Sequence, residues 1–132
     1  MINTAKKILT DNQAINDLDL EPIKFLMQQN PSFYKWDEEL TNHVAEMYRS
    51  FLYLIWKYPT EDIHPTYEVD VFWHGHILDT RKYVEDCERI FGKYVHHYPY
   101  AGLLGDESVE EAEAVANRTI ELIRQEFPHL LT

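Results

Sequence analysis

The stretch TYEVDVFWHGHILDTRKYVEDCERIFG, residues 66–92, decides how this chain is read. Thr66 is placed to cap a helix and Gly92 suits its C-terminal end. The spacing predicts one helix over residues 67–91, with Gly75 as its weak point, costing roughly 1 kcal/mol against alanine. From Asp70 to Tyr100 the chain holds His74, His76, His96 and His97, four of its seven histidines, together with its single cysteine, Cys87. No other part concentrates side chains able to bind metals or move protons. This stretch therefore marks the candidate site, although it names no reaction.

Working outward, residues 36–58 form the clearest upstream helix. Leu40, Val44, Met47, Phe51, Leu54 and Ile55 recur at helical spacing without Gly or Pro, and Pro59 ends the run. Thr60 to Pro65 reads as a loop. Further back, Pro22 fits the first turn of a helix that Asn30-Pro31-Ser32 breaks. Residues 2–18 show mixed helical spacings interrupted near Thr10 and Asp11, with Asp11 placed to cap a second short helix. Downstream, His96 to Gly105 is a loop containing Pro99, Gly102 and Gly105. Ser108 and Glu111 make a capping-box pattern for a last helix, whose stripe is Val109, Ala112, Val115, Ala116, Ile120 and Ile123 before Pro128. There is no alternating period-two run and no internal repeat. The expected fold is all-α, an irregular bundle of four or five helices, with residues 1–132 as a single helical domain.

Composition narrows the function classes. A hydrophobic content of 45%, with 14% aromatics, supports a real core rather than disorder. The net charge of −11 argues against nucleic acid or an anionic membrane as partner and points instead to a basic protein. One cysteine allows no internal disulfide, and no stretch is apolar enough for a signal peptide or a membrane span. The expected location is the cytoplasm.

On a continuous helix each residue turns its side chain by about 100°, so His74 and His76 point about 200° apart and cannot hold one ion together. Two lines result. One carries Asp70 and His74, four residues apart; the other carries His76, Asp79, Tyr83 and Cys87. Imidazole and carboxylate suit zinc or iron, and a helix commonly supplies two ligands to such a site. The tandem His96-His97 lies where a loop folds back toward this helix, while His43 and Glu46 offer donors from the preceding one. Each feature also has a structural explanation. Asp70 with His74 suits a hydrogen-bonded pair orienting a buried imidazole, and His76 with Asp79 suits a solvated pair. Cys87 suits a small buried hydrophobe, while Trp73, Tyr83, Phe91 and Tyr94 suit the core. No nucleophile elbow or other covalent-catalysis motif is present.

The run Val69-Asp70-x-x-Trp73-His74-x-x-Ile77-Leu78-x-Thr80-x-x-Tyr83-x-x-x-Cys87-x-x-x-Phe91-Gly92, followed by His96-His97-x-Pro99, resembles the glycine-rich domain-containing protein-like family of plants and short bacterial proteins. Glu46-x-x-Arg49-x-Phe51-Leu52 is similar to its preceding segment, so the likeness spans roughly residues 44–100. The resemblance implies that Asp70, His74, Tyr83, Cys87, His96 and His97 are motif positions, and it implies no established activity. At 132 residues the chain has no room for the glycine-rich tail of the plant members.

Together these features predict a divalent-metal site, for zinc or iron, built from Asp70, His74 and the His96-His97 loop, with Glu46 completing the shell. Adjacent loop residues diverge, so one of the two loop histidines is expected to face it. The alternative is a metal-free interaction module in which the histidines are buried anchors and the acidic surface receives a basic partner. A metal-free enzyme using His74 as a base ranks below both.

Overall fold

The computed structural model describes residues 7–29, 35–98 and 109–131. Among these the chain is all-α. A single turn, α1 (Gln13–Asn16), is followed by α2 (Glu21–Gln29), α3 (Glu38–Lys57), α4 (Tyr67–Leu78), α5 (Thr80–Phe91) and α6 (Val109–Glu126). A 3-10 turn, Pro128–Leu131, closes the described chain. The irregular bundle expected from the sequence is present, with one helix boundary that the sequence pattern did not show.

Helix α3 is the long wall. The Asp37 carboxylate accepts the Leu40 N–H at 2.8 Å, capping the first turn, and Pro59 follows the last one. It touches α1, α2, α4 and α6, and accordingly buries every residue from Val44 to Leu54. Helix α4 is enclosed from several directions, because α2, α3 and α5 all pack on it. A helix covered on several sides must be apolar on several sides, and Val69, Val71, Phe72, Trp73, Gly75 and His76 are all buried. The part left uncovered is a strip along Tyr67, Asp70, His74 and Leu78, at helical spacing.

Gly75 is more than a weak point in this helix. A Cβ at that position would stand 2.5 Å from Met27 Cε and 3.3 Å from Ile23 Cγ2, both on α2 and both fully buried. The missing side chain leaves room for the end of Met27 between α2 and α4, so part of the propensity lost in the helix is recovered as packing.

The continuous helix expected over 67–91 is not observed. Asp79 has φ −84° and ψ 74°, outside helical geometry, and separates α4 from α5. Two hydrogen bonds show why the chain must turn there. Trp73 Nε1 donates to Tyr83 Oη at 2.9 Å, and His76 Nε2 lies 2.8 Å from Asp86 Oδ2. Each pair is ten residues apart, a separation of about 15 Å along one straight helix. Turning at Asp79 lets Tyr83, Asp86, Cys87 and Ile90, the buried face of α5, close on the core. Thr66 and Gly92 act as the sequence predicts: Thr66 Oγ1 accepts the Val69 N–H, and Gly92 ends α5 in the left-handed region at φ 73°.

The N-terminal expectation needs correction. Residues 7–11 are not helical, and the cap of α1 is Asn12, whose side chain accepts the Ile15 N–H at 3.1 Å. Asp11 instead accepts the Tyr53 hydroxyl at 2.8 Å, which ties this segment to α3. In α6 the buried positions are Thr119, Leu122 and Ile123, so Leu122 joins the expected stripe. The Asn30-Pro31-Ser32 break, Pro99, Gly102, Gly105 and the Ser108 half of the capping box lie outside the described residues.

Replacing Gly75 with valine should force α2 and α4 apart, and we expect about 2–3 kcal/mol of destabilisation in urea unfolding, from overpacking. A Gly75→Val chain as stable as the parent would show that the close approach is not needed.

Candidate functional site

The uncovered strip of α4 carries the cluster that the spacing suggested. Asp70 and His74 share a face because they are four residues apart, and His97 reaches them from the segment after α5. His97 Nε2 stands 2.7 Å from Asp70 Oδ1, His74 Nε2 stands 3.3 Å from Asp70 Oδ2, and the two Nε2 atoms are 3.1 Å apart. One donor atom from each residue falls within 4.8 Å of the others. Exposure is graded, with side-chain values of 49% for His74, 32% for Asp70 and 14% for His97.

Bonds of about 2.0–2.1 Å with angles between tetrahedral and octahedral set neighbouring ligand atoms about 2.8–3.4 Å apart. The 3.1 and 3.3 Å separations fall in that range, and the 2.7 Å between His97 and Asp70 is a hydrogen-bond length just below it. Two imidazoles and one carboxylate are a donor set of zinc hydrolytic sites and of non-haem iron sites, both of which keep coordination positions open. The arrangement also closes through a hydrogen bond, with His97 Nε2 donating to Asp70 Oδ1 and His74 Nε2 alongside.

The surroundings hold His97 in place. Its ring lies 4.2 Å from that of Trp73, centroid to centroid. The Trp73 indole donates to Tyr83, and Tyr83 donates in turn to the Val95 carbonyl at 2.6 Å, two residues before His97. Burial raises the Tyr83 hydroxyl well above its ordinary range, which keeps it protonated as this donor. Cys87 is buried beside Val95 and Tyr83, and burial likewise pushes its thiol up, so it sits in the core as a neutral group. Asp70, Trp73, His96 and His97 line one side of a cleft of about 590 Å³ that extends to Tyr58 and the loop at residues 61–66.

Other candidates from the sequence sit elsewhere. Glu46 does not reach the cluster. Its Oε1 accepts the Ile8 N–H at 2.8 Å and Arg49 Nε at 3.1 Å, while Arg49 donates to the Ile15 and Leu18 carbonyls. That buried clasp pins the N-terminal segment to α3 and uses up the carboxylate. His96 diverges from His97 as adjacent loop residues do, its ring meeting Tyr94 edge-on at 4.7 Å. His43 is exposed on α3.

The second line, His76 with Asp79, Tyr83 and Cys87, does not exist as a line because the helix turns at Asp79. Asp79 is exposed, whereas His76 is 1% exposed and bonded at both ring nitrogens. Nδ1 is 2.7 Å from Tyr48 Oη and Nε2 is 2.8 Å from Asp86. With the carboxylate accepting from Nε2, Nδ1 accepts from the tyrosine. Burial pushes the Asp86 carboxyl up, but His76 and Lys82 together outweigh it and leave it below its ordinary value; Arg89 also holds Asp86, at 3.0 Å. Burial raises Tyr48 strongly, keeping its proton in place. Neither Tyr48 nor Asp86 was selected from the sequence. Their only local signal, an acid ten residues from a histidine, means nothing until the chain turns.

The sequence model of the UCP032817-like family matches residues 11–123. The chain belongs to that family. It is also similar to two Arabidopsis thaliana proteins. Glycine-rich domain-containing protein 1 is 28% identical over 85 residues, which cover 57% of this chain and 10% of that protein. Glycine-rich domain-containing protein 2 is 30% identical over 80 residues, covering 53% and 10% respectively. The chain thus spans about a tenth of the length of the curated relatives it matches, in keeping with the resemblance read from the Trp73-His74 and His96-His97 elements. No solved structure matches it.

Asp86→Ala removes the partner of a buried imidazole, and we expect a loss of about 3 kcal/mol near neutral pH. Because the folded Asp86 carboxyl titrates below its ordinary range, its contribution is full above that range and fades as pH falls through the depressed value. Urea unfolding across acidic pH should therefore show the gap between parent and variant narrowing on acidification. A constant gap would dismiss the ionised carboxylate as the stabilising form.

Proposed function

We propose that this chain binds a divalent ion, zinc or iron(II), through one Asp70 oxygen and the Nε2 atoms of His74 and His97. The observation that carries this is the convergence of both Nε2 atoms on one carboxylate, at separations of 2.7–3.3 Å, beside a cleft. Three protein donors leave positions open on the exposed His74 side. Zinc there supplies an activated water, and iron(II) the chemistry of non-haem oxygenases. Either makes the protein a small metal-dependent enzyme or metal-regulated module acting on what the cleft admits. A cytoplasmic location and a basic protein partner accompany this reading on grounds of composition.

The alternative is a metal-free interaction module. It is favoured by one feature: His97 Nε2 already donates to Asp70 Oδ1 at 2.7 Å without an ion. It treats the cluster as an anchor, as His76 is.

Elemental analysis of chain purified without a metal-binding tag separates the two. The metal reading expects about one equivalent of zinc or iron, falling at least about tenfold in His74→Ala with helicity retained, since the His74 side chain is half exposed. Equal metal content in parent and variant, or a parent that takes up neither ion when it is added, would sink the metal site. Loss of stability in His74→Ala without any metal would favour the anchor.

A further inference from the structure

The cleft beside the triad is one-sided in charge. Its charged lining residues among those described are Glu61, Asp62 and Asp70, and no lysine or arginine lines it. Two nearby cations are already engaged. Arg118 pairs with Glu61 at 3.2 Å, and Lys57 pairs with Glu126 at 2.8 Å. Asp62 is exposed and has no ion-pair partner among the described residues. The rings of Tyr58, Tyr67 and Trp73 line the same cleft. Ring faces attract cations, and a long basic side chain can lay its aliphatic stem on apolar surface while its head meets a carboxylate.

We propose that the cleft receives a lysine or arginine side chain of a basic polypeptide. The cationic head meets Asp62, the stem lies along the rings, and the adjoining backbone approaches His97 and Asp70. The occupant is argued from charge complementarity, in a chain whose net charge is −11. Outside the metal position, an anionic ligand would meet the unpaired Asp62 there and no lysine or arginine. The proposal deepens the metal reading by naming what lies across the ion, and it rests on that reading only at the inner end of the cleft.

The test uses the full chain and three short capped peptides that differ only in a central lysine, arginine or glutamate. Binding is followed by calorimetry and by the NMR signal of the Trp73 indole N–H, with zinc-loaded and chelator-treated samples run side by side. The lysine and arginine peptides should bind at least about tenfold tighter than the glutamate peptide, with affinity falling as salt rises. Asp62→Asn, an exposed change that leaves the core untouched, should shrink that preference to about threefold or less. Equal binding of the glutamate peptide, or a preference unchanged in Asp62→Asn, would overturn the assignment. Free butylammonium competing as tightly as the lysine peptide would also overturn it, placing a small amine in the cleft instead. Metal content read in the same samples separates the two ideas. A charge preference without uptake of either zinc or iron refutes only the metal site, and metal uptake without a preference refutes only the basic occupant.

Discussion

The fold depends on a single buried imidazole. His76 sits on α4 with one ring nitrogen bonded to Tyr48 of α3 and the other to Asp86 of α5, so three helices meet at one side chain. A buried polar group of this kind is costly unless every partner is in place. Here the requirement is met: among the described residues, no buried side-chain nitrogen or oxygen lacks a partner. His76 and Lys82 keep Asp86 ionised in a protein interior, and Arg89 pairs with it as well. The turn at Asp79 is therefore a condition of the core rather than an accident of loop chemistry.

The same enclosure explains where the candidate site lies. With α2, α3 and α5 packed on α4, the helix has little surface left to present, and what remains is the strip holding Asp70 and His74. Residues on that strip project from a helix that cannot move without disturbing three neighbours. His97 joins them under similar control, through the Trp73 ring and the Trp73–Tyr83–Val95 chain of hydrogen bonds. A loop residue is thus held by core residues, which is the kind of support that fixes ligand positions in metal sites. The open side of the cluster faces solvent and the cleft, so rigidity and access coexist within one turn of helix.

A second buried charge group does different work. Glu46 and Arg49 lie on α3 and bond to backbone groups of residues 8, 15 and 18, fastening an irregular segment that has only one short turn of its own. Glu46 has the right chemistry for a ligand and the wrong neighbours. Its carboxylate already satisfies a backbone N–H and the Arg49 Nε, and releasing it would leave the Ile8 N–H without its partner. Glu46, Arg49, Ile15 and Leu18 fall within the part of the chain matched by the family model, as does the whole Asp70–His97 region, while Ile8 lies just before it.

What the sequence determined by itself was everything that acts over a few residues. Thr66, Gly92, Pro22 and Pro59 mark helix ends through local backbone chemistry, and helical spacing alone brings Asp70 and His74 together. The absence of period-two patterning likewise decided the all-α class. Only the tertiary structure decided which of His96 and His97 faces inward, why Gly75 is glycine, and what becomes of Glu46 and His76. Residues 67–91 keep helical spacing straight through Asp79, so no local signal announces the turn. It is set by the burial of two helix faces and by hydrogen bonds spanning ten residues. Those interactions gain their free energy only once the chain has folded back, and a one-dimensional pattern carries no record of them.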